Sequence, residues 1–194
     1  MVASETHAGR PPPTAHRTLP RYVAFLRAIN VGGHVVKMER LRELFETLGV
    51  RGVETFIASG NVIFETRATD AAALELKIER LLEKELGYDV ATFLRTTDEL
   101  AAVATHVPFA SPLPDGHALW VGFLKEEPGD ERRAALLAHR SETDDLAVHG
   151  RELWWRRVPG TDSKLTNARL ERAVGPATMR NVTTVRKLAA KYPR

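Results

Sequence analysis

The order of strands and helices along this 194-residue chain repeats itself, and this repetition restricts the fold more than any other feature. Hydrophobic spacing and turn residues predict strand, helix, strand, tight turn, strand, helix and strand over residues 22–95. Much the same order follows over residues 117–180. This is the split βαββαβ arrangement, so the sequence predicts an α+β protein with two ferredoxin-like halves, related by duplication, and a C-terminal helix.

The first half carries the clearer pattern. Residues 22–30 are apolar on both faces, which predicts a central strand. A helix is predicted over residues 37–48, and Ser59-Gly60-Asn61 has the composition of a hairpin turn. A second helix begins at Asp70 and ends at Gly87, before the fourth strand.

The second half is less regular but has clear boundaries. Strands are predicted at residues 118–124, 146–148, 153–158 and 177–180, and the turn at His149-Gly150 makes a second hairpin. Three residues are predicted helix N-caps: Thr97, Ser163 and Asn181. These patterns divide the chain into a proline-rich, disordered tail (residues 1–20), a first unit (residues 21–96) and a second unit (residues 97–194).

Composition excludes several classes of protein. The chain has no cysteine, so it can form neither a disulfide nor a thiolate metal site, and a cytoplasmic location is expected. Its apolar runs have only the length of strands, which predicts no membrane association. The seven histidines lack paired ligand spacing, so no metal is predicted, and no motif calls for a cofactor.

Positive charge is concentrated near the C-terminus. Residues 151–194 contain 11 Lys or Arg against 3 Asp or Glu, whereas residues 21–150 contain 15 against 21. Such asymmetry is typical either of a solvated face or of a protein with an anionic partner.

The predicted topology brings distant loops together. The first and second strands of such a unit run parallel, so the loop after the first strand should lie beside the hairpin after the second. Asn30, Gly32 and Gly33 are therefore expected near Ser59 and Asn61. The residues of these loops can be there only to form the turns, or their backbone N–H groups can bind an anion.

Arg27 stands in an otherwise apolar stretch and is predicted to need a carboxylate, carbonyl groups or a ligand. In the second unit, residues 160–164 should share one end of the sheet with residues 180 and 181. Lys164 and Arg180 would then lie near helix N-termini, which prefer anions, so a phosphate or carboxylate could lie between them. Asn181 can equally act as an N-cap alone.

Two aromatic side chains stand together on one strand of the second hairpin. Alternation sends Trp154 and Trp155 to opposite faces of the sheet. One ring is therefore expected in the core, and the other either in the core, beside a cleft or at a subunit contact.

Four segments resemble a known family. They are residues 25–33 (Phe-Leu-Arg-Ala-Ile-Asn-Val-Gly-Gly), 58–64 (Ala-Ser-Gly-Asn-Val-Ile-Phe), 163–166 (Ser-Lys-Leu-Thr) and 178–188 (Thr-Met-Arg-Asn-Val-Thr-Thr-Val-Arg-Lys-Leu). In this order they resemble the bacterial domain-of-unknown-function family 1697, although Val182 stands where that family usually has tryptophan. The resemblance implies an α+β bacterial protein and implies no activity.

Three functions are compatible with these patterns. The first is binding of a small anionic ligand by Arg27, Asn30, Gly32, Gly33, Ser59, Asn61, Lys164, Arg180 and Asn181. The second is nucleic-acid binding by the basic C-terminal quarter, although the strands lack the aromatic pairs of RNA-binding sheets. The third is an enzyme acting on an anionic substrate, with Lys164 or His34 carrying a proton.

Overall fold

The computed structural model describes residues 19–30, 32–110, 116–158, 160–161 and 163–193. Residues 1–18 of the predicted tail, and Val31 and Asp162 of the predicted loops, lie outside the described residues. The elements are β1 (Arg21–Leu26), α1 (Met38–Glu46), β2 (Arg51–Thr55), β3 (Asn61–Glu65), α2 (Ala71–Leu86), β4 (Thr92–Thr96), α3 (Thr97–Thr105), β5 (Ala118–Leu124), α4 (Asp130–Leu137), β6 (Asp144–His149), β7 (Glu152–Arg157), α5 (Asn167–Val174), β8 (Ala177–Asn181) and α6 (Val182–Lys191).

These elements form two four-stranded antiparallel sheets with the same strand order. The orders are β2-β3-β1-β4 in the first half and β6-β7-β5-β8 in the second. Helix α3 connects the halves and α6 ends the described chain. The predicted α+β fold, with two βαββαβ halves and a C-terminal helix, is confirmed, and β1 is central as predicted.

Each sheet has one face toward its own helices and one face toward the other sheet. Helices α1 and α2 pack on the outer face of the first sheet, and α5 with part of α4 on that of the second. The inner faces share one core with α3 and α6, where the rings of Phe25 and Phe123 stack with centroids 3.9 Å apart. Trp154 lies in this shared core and Trp155 in the outer one, so both rings are buried.

Local signals placed most helix ends correctly. Asp70 caps α2, Gly87 ends it with a φ of 80°, and the Asn181 side chain accepts from Thr183 N. Two predicted caps were wrong. Thr96 caps α3 in place of Thr97, because its hydroxyl accepts from Glu99 N and the Glu99 carboxylate accepts from Thr96 N, a capping box.

The second wrong cap is Ser163, whose role falls to Thr166. The Thr166 side chain accepts from Arg169 N. The hydroxyl of Ser163 instead donates to Asp144 Oδ2 at 2.7 Å, which ties the loop before α5 to the start of β6. In the described part of the chain, no helix combines the length and apolar composition that a membrane span needs.

A buried arginine fastens the second hairpin to the first sheet. Arg95 of β4 is 1% exposed, and its Nε donates to Glu152 Oε1 at 2.7 Å. Its Nη2 donates to the carbonyl oxygens of Leu124 and Arg151 at 3.0 and 2.9 Å. A guanidinium can be buried at low cost only when its donors are satisfied in this way.

We expect Arg95→Met to lower the free energy of unfolding by about 3–5 kcal/mol, because Glu152 would be left without its buried partner. Arg42→Met is the control: Arg42 is exposed and pairs along α1 with Glu39 and Glu46 at 3.5 and 3.6 Å. It should cost less than about 1 kcal/mol. Urea denaturation measures both, and losses of equal size would contradict the prediction.

Candidate functional site

The loop after β1 lies beside the β2–β3 hairpin, as the topology predicts. Leu26 N donates to Gly60 O at 2.8 Å, and the amide of Asn30 donates to Ala58 O at 3.0 Å. The Asn30 side chain also accepts from Val36 N at 2.7 Å. Gly60 has a φ of 71°, and a Cβ there would lie 3.0 Å from Ile29 Cβ, so this close approach requires glycine.

These two loops form one wall of a cavity of about 770 Å³ between the halves, here named the Arg180 cavity. The other walls come from α5, β8 and the first turn of α6. The lining residues are Leu26, Arg27, Ala28, Ile29, Asn30, Ile57, Ala58, Ser59, Trp120, Asn167, Ala168, Glu171, Ala177, Thr178, Met179, Arg180, Asn181 and Thr184. Five predicted site residues thus meet: Arg27, Asn30, Ser59, Arg180 and Asn181.

Unfavourable backbone conformations are concentrated at this cavity. Within the described ranges, only Ala28, Asn30 and Ile57 are non-glycine residues with a positive φ, at 66°, 56° and 52°. All three line the Arg180 cavity. A β-branched residue such as Ile57 is especially unfavourable there, and conformations of this kind cluster at binding and catalytic sites.

Arg180 forms the floor of the cavity and is 8% exposed. Its Nε donates to Asn61 Oδ1 at 2.7 Å, and its Nη1 donates to Thr178 Oγ1 at 2.8 Å. Its Nη2 donates to the carbonyl oxygens of Leu26 and Ser59 at 2.9 and 2.7 Å. Burial lowers the pKa of Arg180 to about 10, yet the group stays charged at neutral pH.

The oxygens that receive these bonds are all uncharged. Every hydrogen-bond acceptor of Arg180 among the described residues is an amide, hydroxyl or carbonyl oxygen. Asn61 itself is fully buried and donates to Phe56 O and Ser59 Oγ, so it fixes the hairpin that Arg180 contacts. Among the residues that the structure describes, no carboxylate accepts a hydrogen bond from this positive charge.

The predicted position of Arg27 inside the first strand was wrong. The strand ends at Leu26, before Arg27, because the chain turns at Ala28. The Arg27 side chain is 46% exposed and pairs with Glu171 of α5 at 2.8 Å. The ion pair that the sequence left open is present, but at the rim of the cavity rather than inside a strand.

Four other predicted residues are absent from the lining of the Arg180 cavity: Asn61, which is fully buried, and Gly32, Gly33 and Lys164. Gly32 and Gly33 are exposed, and a Cβ on either would have no heavy atom within 4 Å. Lys164 lines a separate cavity of about 260 Å³ with His139, Asp144 and Arg169, so the predicted approach of Lys164 to Arg180 was wrong. The Ser163–Asp144 hydrogen bond directs that loop toward β6.

A third cavity, also of about 260 Å³, lies between α3 and the β6–β7 turn. Its walls include Glu99, Arg151, Glu152 and the rings of His106 and His149, which stack with centroids 4.4 Å apart. Burial, and then the adjacent His149, lower the pKa of His106, while Glu152 opposes them. Within the described ranges, no group of three or more acidic or histidine side chains could hold a metal ion.

Relieving the strained backbone provides one test of the site. We expect Ala28→Gly to raise the free energy of unfolding by about 0.5–1 kcal/mol, because glycine adopts a positive φ without a Cβ clash. Ala190→Gly, the same change on the exposed side of α6, should lower it by about 1 kcal/mol. Opposite signs in urea denaturation would confirm the strain, whereas two losses would refute it.

The histidine stack predicts a pH dependence of stability. The pKa of His106 in the folded chain lies below its usual 6.5. Between that lowered pKa and pH 6.5, the unfolded chain therefore binds more protons than the folded chain. The contribution is fully present above pH 6.5 and is lost as the pH falls toward the folded pKa. His106→Gln should flatten this part of the curve of Tm against pH. His139→Gln is the control at an exposed position and should leave the curve unchanged. Identical curves for wild type and His106→Gln would contradict the assignment.

Comparison with known proteins places the chain in a family. A solved structure, of the conserved bacterial protein SP0830 from Streptococcus pneumoniae, is 21% identical with a TM-score of 0.65, covering 89% of this chain and 98% of that one. This likeness concerns the fold alone. No curated protein matches the chain. Residues 19–154 match the family described as "Protein of unknown function (DUF1697)", a match that ends before α5, β8 and α6. The chain therefore belongs to the DUF1697 family, as its motifs predict.

Proposed function

We propose that this protein binds a small ligand carrying a phosphate or carboxylate group in the Arg180 cavity. The observation that carries the proposal is the buried charge of Arg180, whose acceptors among the described residues are all uncharged. A buried cation without a carboxylate is unfavourable, and an anion in the adjoining cavity would offset that cost. The Arg180 guanidinium would attract the anion by its charge rather than by hydrogen bonds, because its N–H groups already have acceptors within the protein.

The other groups around the cavity add to this potential. Arg27 and Glu171 form an ion pair and largely cancel each other, which leaves Arg180 as the uncompensated charge among the described lining residues. Asn181 and Thr184 place the first turn of α6 at the cavity, and the N-terminus of a helix favours negative charge. Both contributions have the same sign.

The basic C-terminal quarter gives less support to nucleic-acid binding. Arg151 pairs with Glu99 at 2.6 Å, Arg156 with Asp145 at 2.7 Å, and Lys191 with Glu54 at 3.2 Å. Three of the eleven cations in this segment are thus paired with acidic side chains elsewhere in the protein, whereas phosphate-backbone binding uses unpaired cations.

The proton carriers considered for an enzyme also lie elsewhere. His34 stacks on Tyr88, and Lys164 lines a different cavity. Binding without a stated reaction is therefore the function that the geometry supports best.

Thermal shift and isothermal titration test the proposal directly. The wild-type protein is titrated with inorganic phosphate, pyrophosphate, phenylacetate and succinate at constant ionic strength, which separates site binding from screening. At least one of these anions should raise the Tm in a saturable way. If none of them raises the Tm beyond what sodium chloride does at the same ionic strength, the proposal is wrong.

A charge variant locates the site. We expect Arg27→Gln to weaken binding of the responding anion by about tenfold, because Glu171 would then present an unpaired negative charge at the rim. Arg40→Gln is the matched control, since Arg40 is similarly exposed and pairs with Glu85 at 2.8 Å on the outer helices. Titration calorimetry measures both variants. Equal affinities would place the anion outside this cavity.

A further inference from the structure

The two halves place equivalent arginines in equivalent settings. Arg95 of β4 lies opposite Val23 of β1, and Arg180 of β8 lies opposite Val121 of β5. Each reaches the carbonyl oxygen of the last residue of the other half's central strand, Leu124 or Leu26. The side of the protein that contains Arg95 therefore serves as an internal reference for the side that contains Arg180.

On the Arg95 side, carboxylates from α2 occupy the edge of β4. Leu94 N donates to Glu75 Oε1 at 2.7 Å, and Thr92 N donates to Glu79 Oε1 at 2.8 Å. Glu79 also pairs with Lys125, just after β5, at 2.5 Å. Glu75 is 4% exposed, so the position beside Leu94 N–H is filled and enclosed by the protein itself, whereas Glu79 is partly exposed.

On the Arg180 side, one of these acids has a counterpart and the other does not. Arg27, just after β1, pairs with Glu171 of α5 as Lys125 pairs with Glu79 of α2. One helical turn before Glu79 stands Glu75, but one turn before Glu171 stands Asn167, an exposed neutral residue at the cavity wall.

The backbone donor at this position is the same in both halves. Met179 lies opposite Gly122 in the register that Leu94 has opposite Ala24. Leu94 N–H points away from β1 to reach Glu75, so the register turns Met179 N–H away from β5 in the same manner. Met179 lines the Arg180 cavity.

We propose that the ligand is a carboxylate, and that its acid group takes the position that Glu75 occupies in the other half, accepting a hydrogen bond from Met179 N–H. Asn167 is the residue that keeps this position open, and is thus a determinant of specificity. This inference rests on the proposed function. A planar carboxylate matches it because a side-chain carboxylate fills the equivalent position, while Trp120 and Ile57 offer apolar surface for the rest of the molecule.

The test restores the missing acid. Asn167→Glu places a carboxylate in the first turn of α5, where negative charge also favours the helix, so the variant should fold. Ala72→Glu adds the same charge to the exposed first turn of α2, remote from the cavity. Phenylacetate and phenylphosphonate, which share an apolar body, are titrated into both variants and wild type by calorimetry. The amide of Met179 is followed by ¹H–¹⁵N NMR.

We expect phenylacetate to bind wild type and Ala72→Glu equally, to bind Asn167→Glu at least about tenfold more weakly, and to move the Met179 amide proton downfield. Unchanged affinity in Asn167→Glu, or a Met179 amide that does not move, would overturn the inference while leaving anion binding in place. Binding of phenylphosphonate or inorganic phosphate without phenylacetate would do the same. If no anion binds wild type, the proposed function itself fails.

Discussion

Burial of two guanidinium groups between the sheets is the constraint on which this structure depends. Arg95 and Arg180 each reach from the edge strand of one half to the hairpin of the other, so Nε and Nη2 of each must find oxygens across that junction, while Nη1 bonds within its own half. The stacked rings of Phe25 and Phe123 lie between them, with each arginine over one ring. These polar contacts fix the relative position of the two sheets, whereas apolar packing alone would allow them to slide.

The two arginines have the same geometry but different electrostatics. Arg95 donates to a carboxylate, Glu152, while Arg180 donates to an amide, Asn61, at the same position in its hairpin. A structural role requires only that the donors be satisfied, and the Arg95 side shows how the fold does this with an acid. Because Asn61 is neutral, Arg180 keeps a net positive charge beside a cavity. A purely structural role does not require that charge.

Local pattern predicted the order of the elements and several of their ends. Asp70, Gly87 and Asn181 were readable because caps depend on backbone chemistry within a few residues. The burial of the Arg180 side chain could not be predicted from local sequence, because Asn61, which accepts its hydrogen bond, lies 119 residues away in the chain. Arg27 was misplaced because the apolar run continues past the point where the strand ends.

The site was predicted in outline but not in its details. The strand arrangement was enough to bring Asn30 beside the hairpin, since parallel strands end at the same edge. Lys164 was wrongly grouped with Arg180, because a single hydrogen bond from Ser163 sets the course of its loop. The positive φ values of Ala28 and Ile57 have no signature in sequence, as neither residue type favours them.

Residues of both halves line the Arg180 cavity, so filling this cavity and the stability of the fold are linked. Since the first half supplies one wall of the cavity and the second supplies its floor, the pocket exists only while the two sheets are docked. Any molecule that fills it must therefore act as a bridge, and its binding energy is added to the cohesion of the whole chain. The chain with this cavity filled would therefore resist proteolysis better than the chain with the cavity empty.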